Sequence, residues 1–421
     1  MQTGFGYGSM KKASIVSIGN ELLSGQTIDT NIGYLGRELL SIGVPVVSSY
    51  TVGDEIGAIV RALKLAGDDA DVILATGGLG PTDDDVTRQA FAELLGAELQ
   101  MQNELLEQMQ GFFARRGLEM PEKNRIQAYI PVGTKALANN LGTAPGIMAK
   151  ADTKVFVAMP GVPSEMKQMF CESVLPDIRQ LAPAQAVVVR KARCCGAGES
   201  TIAEMLGDLM QRGRNPLINC TAESGIIALH IIATAESEAE GLQMAKEDEK
   251  LLRKLLGDLI YSVGEQTLAE VVGLELARRG KTIAVAESCT GGLAAKLLTD
   301  ASGASNYFTH GWVTYGNDAK TSLLGVPKGL IDRCGAVSEE VARAMAQGAR
   351  RKASSDYGIG ITGIAGPTGG TEQKPVGLVY ICIDSGDESK VSRCQLSGPR
   401  ESIRLRAAQT ALNLLRLQVM Y

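Results

Sequence analysis

The sequence predicts an α/β protein of three domains. Three observations carry that expectation. Residues 12–170 alternate short β-branched runs with helical spacings, the rhythm of a sheet of parallel strands covered by helices. Residues 185–260 change character: two strand patterns precede a charged amphipathic helix, which reads as a small α+β domain. From Thr267 onward the first rhythm returns, and with it a second α/β domain. A chain of 421 residues, 45% of them hydrophobic, is long enough to bury several cores.

In the first domain the strand patterns cover 13–18, 44–50, 72–75 and 155–159, and helical patterns cover 30–40, 56–66 and 86–95. The middle segment has strands at 187–192 and 226–233 and a helix from 236 to 259, where Leu251, Leu252, Leu255 and Leu256 mark a stripe expected to be buried. The last domain reads as helix 267–279, strand 282–286, helix 291–299, strand 311–315, helix 338–352, strands 358–362 and 376–383, and helix 400–417. Domain boundaries are expected at 10–172, 173–262 and 263–421, with no solenoid repeat and no low-complexity linker.

Composition excludes several classes of function. No segment approaches the roughly 20 apolar residues of a membrane span. The glycine-rich start, MQTGFGYGS, lacks a signal-peptide core and is expected to be an extension outside the fold, so a cytoplasmic protein with no membrane partner follows. Eight irregularly spaced cysteines fit neither a disulfide framework nor a zinc pattern, and are expected to be reduced. Net charge is −5 without a basic block, which gives a nucleic-acid partner no support. Small anionic ligands remain compatible, because backbone dipoles hold them locally.

One local pattern occurs twice. Thr76-Gly77-Gly78-Leu79-Gly80-Pro81-Thr82 and Thr362-Gly363-Ile364-Ala365-Gly366-Pro367-Thr368 both fit T-G-x-x-G-P-T directly after an apolar strand, where α/β sheets bind ligands. The first runs into Asp83-Asp84-Asp85 and the second into Gly369-Gly370, so two unlike sites are expected. Three aspartates after a glycine turn suit a divalent cation bridging to a pyrophosphate. They equally suit a helix start, where they cap free N–H groups for about 1 kcal/mol. Asn31 and Glu165 lie after two other strands of the same domain and either complete this site or cap helices. Ser164 and Lys167 spell S-x-x-K, but a serine after proline is a routine cap.

The stretch Glu287-Ser288-Cys289-Thr290-Gly291-Gly292 places Ser288 on a strand-to-helix turn whose free N–H groups suit an oxyanion. The same residue types are good helix starters. The two histidines, His230 and His310, adjoin no triad pattern, so a nucleophilic Ser288 needs another base. Lys320, in Thr314-Tyr315-Gly316-Asn317-Asp318-Ala319-Lys320, serves if burial keeps it neutral near pH 7, well below the roughly 10.4 of a free lysine. Tyr315 would then hold the lysine or the serine hydroxyl. Cys289 is the rival nucleophile, with a pKa expected to fall at a helix start. Arg400 and Arg404 begin the last helix, where a phosphate would meet free N–H groups or where solvent would simply bathe two cations.

These stretches resemble the competence/damage-inducible CinA family over nearly the whole chain. The carrying motifs are "SIGNELLSGQTIDTN", "TGGLGPTDDDVT" and "MPGVPSEM", then "AESCTGG", "VTYGNDAK", "GAVSEEVA", "TGIAGPTGG" and "KPVGLVY". The resemblance implies a molybdopterin-binding-like three-layer α/β first domain with metal-dependent ADP-ribose pyrophosphatase activity and a small α+β KH-like middle domain. It also implies a last domain that deamidates nicotinamide mononucleotide. It places the serine, lysine and tyrosine of that deamidase on Ser288, Lys320 and Tyr315. Substrate contacts are then expected from Glu287, Thr290, Gly291, Gly292, Thr362, Gly363, Gly366 and Arg400 in the last domain, and from Asn31, Gly77, Gly78, Gly80, Thr82 and Glu165 in the first. A magnesium-like cation is expected on Asp83, Asp84 and Asp85, no cofactor at the deamidase site, and a homodimer as the assembly. The competing expectation is a first domain that only binds a pterin or nucleotide, in a chain acting as an adaptor in competence.

Overall fold

The computed structural model describes residues 11–151, 153–181, 186–223 and 225–420. The expected N-terminal extension lies outside the described residues. The chain divides into two compact units, one formed by residues 1–188 with 233–243, the other by 189–232 with 244–421.

The first unit is built on a six-stranded sheet ordered Val46–Val52, Ala13–Ile18, Val72–Thr76, Lys154–Met159, Gly146–Ala151, Lys135–Leu137. The first four strands run parallel, as the alternation predicts, but the last two are joined on by antiparallel pairings. Successive residues of one strand feed opposite cores. Val16, Ile73 and Ala75 join Ile59, Leu63 and Phe91 on one face, while Ile15, Val72 and Leu74 join Leu35, Leu39 and Phe170 on the other. That period of two gives the three-layer domain expected from the sequence. Each fully buried Ile, Leu or Phe here contributes roughly 1.5–3 kcal/mol of transfer free energy. Three neighbouring strands therefore end side by side, and their loops begin at Gly19, Gly77 and Pro160.

In the second unit a four-stranded sheet is ordered Leu217–Glu223, Ile226–Ala235, Ala186–Cys195, Ile260–Val263. The following helix, Glu238–Leu256, buries Leu252 and Leu256, whereas Leu251 and Leu255 are 44% and 43% exposed, so only half of the expected stripe is covered. The buried face runs instead through Ala245, Asp248 and Leu252. Asp248 is held there by the forked guanidinium of Arg214, with Nη2 at 2.6 Å. The charged Asp248 interrupts the apolar stripe of this helix, so its leucine spacing does not mark the inward face. Arg190 pairs with Glu249, and Lys191 and Arg193 both pair with Glu265, so the cations of this sheet face carboxylates.

The last sheet is ordered Phe308–Val313, Ile283–Glu287, Tyr357–Gly363, Leu378–Asp384, Ser389–Gln395, with the first three strands parallel and the last two joined on by antiparallel pairings. Its first strand begins and ends earlier than the expected 311–315. It is an edge strand whose Thr309, His310 and Gly311 are exposed, so it lacks the apolar signal that marks a buried strand. Thr314 still donates its N–H to the Glu287 carbonyl at 2.8 Å, after which the chain leaves the sheet and turns into helix Asn317–Leu324. Among the described residues no helix is long and apolar enough to cross a membrane. All eight cysteines are free thiols.

Candidate active site

Two clusters form at the carboxyl ends of parallel strands, one in each unit. In the first, a cavity of 430 Å³ opens beside the T-G-G-L-G-P-T loop, with Glu21, Asp54, Asp84 and Glu165 in its wall. Gly77 sits at φ +108, and a Cβ there would come within 2.1 Å of the Ile18 carbonyl, so only glycine fits. Loop carbonyls are tied down from below. Arg88, 2% exposed, donates from Nη1 to Leu79 O at 2.7 Å and from Nη2 to Gly80 O at 2.9 Å, and Gln127 also donates to Leu79 O. Burial brings the Arg88 pKa down to about 10, which leaves it a cation at neutral pH.

The three aspartates do not act as a set. Asp85 turns inward and accepts N–H bonds from Gly80 at 2.8 Å and Thr82 at 2.9 Å, locking the loop as an internal cap. Asp84 faces the cavity, and its pKa is lowered by the Thr82 hydrogen bond. Among the described residues no three His, Cys, Asp or Glu converge as a metal cage. Magnesium usually takes one or two carboxylates plus substrate phosphates, so this acidic wall suits a cation that arrives with its ligand. Glu165 accepts from Asn139 Nδ2 at 2.7 Å while lining the cavity. Asn31 is buried and ties the start of its helix to Gly161 O at 2.8 Å, and its amide oxygen has no partner among the described residues.

In the second cluster Ser288 follows strand Ile283–Glu287 and Lys320 enters from helix Asn317–Leu324. Lys320 is 1% exposed. Its Nζ lies 3.1 Å from Ser288 Oγ, 2.8 Å from Thr314 O and 3.1 Å from Tyr315 O. Two carbonyls absorb two N–H bonds. A neutral amine then has one lone pair left, directed to the serine hydroxyl. Desolvation lowers the Lys320 pKa from 10.5, and no carboxylate counters it. Between the folded value and 10.5 the unfolded chain binds the extra proton, so stability from this site rises with pH across that window. Melting midpoints of the protein and of Lys320→Met, followed from pH 7 to 10, should therefore shift in favour of the lysine as pH rises. A gap constant with pH would show a lysine still charged when folded.

Family models match the chain in three blocks: "Probable molybdopterin binding domain" over 14–180, "Damage-inducible protein CinA KH domain" over 189–262 and "CinA C-terminal domain" over 265–419. A protein of Symbiobacterium thermophilum named as competence-damage inducible is 42% identical over 416 residues, covering 96% of this chain and 98% of its own. The chain belongs to the CinA family. A "CinA-like protein" of Dictyoglomus thermophilum is 41% identical over 405 residues, with 96% and 98% covered. A crystal structure of the protein CinA from Thermoplasma acidophilum, 32% identical, aligns with 40% of this chain and 98% of its own, at a TM-score of 0.38.

In this CinA chain several expected site residues take other parts. The Tyr315 side chain is 60% exposed, and its phenol accepts from Arg400 Nη2 at 3.0 Å; the backbone carbonyl, not the ring, meets Lys320. The Glu287 carboxylate is buried and accepts N–H bonds from Gly292, Ala294 and Ala295 at 2.8–3.1 Å, so it caps the next helix and takes the N–H groups expected to be free. Ser288 N–H is likewise spent on Ile361 O at 2.9 Å. The amides left in this turn without an acceptor oxygen among the described residues are those of Cys289 and Thr290. The Thr290 side chain is fully buried and its hydroxyl unpartnered. Thr362 Oγ1 donates to Ala336 O, and Arg400 Nη1 to Gly366 O, both at 2.7 Å. The repeated loops share letters but not backbone, since Gly77 and Gly78 have positive φ in the first and Gly366 and Gly369 in the second.

Burial weighs against Cys289 as a nucleophile. Burial pushes its thiol up to about 12, against the fall expected at a helix start. Iodoacetamide at pH 8 should leave Cys289 unlabelled in the folded protein, read by mass spectrometry, and Cys289→Ala should change ammonia release from an amide substrate by less than about threefold. Loss of that activity would return the thiol to the mechanism. Sequence reasoning missed Arg88, Gln127 and Asn139 altogether. For Arg88 a signal existed: it lies on the helix face shared with Phe91, where a solvated arginine would not stand.

Proposed function

We propose that this CinA protein is a bifunctional hydrolase: its last domain converts nicotinamide mononucleotide and water to nicotinic acid mononucleotide and ammonia, and its first cleaves ADP-ribose to AMP and ribose 5-phosphate. The observation that carries the reading is the buried Lys320 amine, bonded to two carbonyls and 3.1 Å from Ser288 Oγ. The substrates come from the family resemblance. Ser288 passes its proton to Lys320 as Oγ bonds to the carboxamide carbon. The C–N bond breaks as Lys320 returns that proton to the departing ammonia. Water, deprotonated in turn by Lys320, then attacks the acyl carbon, and the bond to Ser288 Oγ breaks as Lys320 returns that proton to the serine oxygen. Arg400 uses two N–H groups on Gly366 and Tyr315 and keeps others for the phosphate of the nucleotide.

In the first domain, Gly77, Gly78 and Gly80 let a pyrophosphate approach the backbone, and Asp84, Asp54 and Glu165 supply the acidic wall. A divalent cation would neutralise phosphate charge there when bound. Nucleic acid is left out of the proposal because the half-buried cations of the middle sheet are paired with Glu249 and Glu265. One preparation tests both halves: ammonia from nicotinamide mononucleotide and AMP from ADP-ribose, each with magnesium and with a chelator. Ammonia release should ignore the chelator and AMP formation should stop. No ammonia from the intact chain, or AMP formation resistant to chelation, overturns the corresponding half.

A further inference from the structure

The turn that carries Ser288 is gripped by a cation that takes no part in the proton path. Arg404, from helix Arg400–Met420, donates from Nε to Cys289 O at 3.1 Å and from Nη2 to Thr290 O at 2.7 Å. Gly291 allows that grip: it stands at φ +62, and a Cβ would lie only 3.0 Å from Arg404 Nη2. A trans peptide is planar, so the Thr290 N–H points opposite to the Cys289 carbonyl, away from the guanidinium. Holding a carbonyl against a cation also polarises its peptide group and makes the N–H at the other end a stronger donor. The preceding peptide is pinned as well, because Ser288 O accepts from Gly291 N–H at 3.1 Å. Both amides without an acceptor oxygen thus belong to peptide planes fixed from the opposite side.

We propose that Arg404 is a positioning residue of the deamidase site: its grip on Thr290 O polarises the Gly291 N–H that holds Ser288 O, and so fixes the Cys289 amide to hold the oxyanion formed when Ser288 attacks the carboxamide. This rests on the deamidase reading above. It differs from a phosphate-binding role for Arg404, since both carbonyl bonds turn the guanidinium toward the turn.

The test measures kcat and KM for ammonia release by the full chain and by Arg404→Gln and Arg404→Lys, with melting midpoints alongside. Loss of a single oxyanion donor costs roughly 10²–10³-fold in kcat. Arg404→Gln should lose at least about tenfold of kcat with KM within about twofold. Arg404→Lys should recover only part, because a point charge does not fork to two carbonyls. If Arg404→Gln melts low, kinetics at a temperature where it remains folded give the same split. Unchanged kcat, or a rise confined to KM, overturns the assignment while wild-type ammonia release leaves the deamidase reading standing. Absence of ammonia from the wild type sinks that reading first.

Discussion

Replacing Ser288 or Lys320 by alanine is expected to lower ammonia release from nicotinamide mononucleotide by at least roughly 10⁴-fold while ADP-ribose cleavage continues at its original rate. The two losses should be equal within an order of magnitude and not add in the double variant, because the hydroxyl and the amine act as one unit. Ser288 without its base is an ordinary alcohol, and Lys320 without Ser288 has nothing to deprotonate. Lys320→Arg should be as inactive as alanine, since a guanidinium stays protonated whatever its burial. The rate should rise with pH as Lys320 loses its proton, and the midpoint should lie below 10.5, the direction in which burial moves it. Retained ammonia release in Ser288→Ala would end the serine mechanism. An equal fall in ADP-ribose cleavage would mean that the substitution unfolds more than its own domain.

Much of this arrangement was legible in the chain. Strands Ala13–Ile18, Val72–Thr76 and Ile283–Glu287 are buried on both faces and are mostly apolar, so their ends and the loops after them could be located. Edge and antiparallel strands such as Leu217–Glu223 and Ser389–Gln395 carry polar, half-exposed residues and gave no such signal. From the residues alone Ser288 and Lys320 were one chemical option beside a helix cap and a surface lysine; the family resemblance singled them out, and the fold sets Lys320 Nζ 3.1 Å from Ser288 Oγ. What the letters could not reveal was which polar atoms are spent on the fold. Glu287 and Asp85 sit in the middle of motifs that look catalytic, yet both satisfy backbone N–H groups. A carboxylate that caps and one that binds substrate have the same letter, and only burial and hydrogen-bond partners separate them.

Arg88→Met is expected to abolish ADP-ribose cleavage and to destabilise the first unit by about 2–4 kcal/mol, with ammonia release preserved. Methionine fills much of the volume but leaves the Leu79 carbonyl with Gln127 alone and the Gly80 carbonyl without its guanidinium. Removing a desolvated cation returns part of the cost, which is why the loss is smaller than the bond count suggests. Arg88→Lys should fare little better, since an ammonium cannot fork to two carbonyls in that geometry. Wild-type cleavage and an unchanged melting midpoint in Arg88→Met would show that the loop holds its shape without the clamp. The same physics recurs at Arg404, where a guanidinium also grips consecutive carbonyls of a glycine turn. In both units the cation works from the protein side and holds its glycine turn at two consecutive carbonyls.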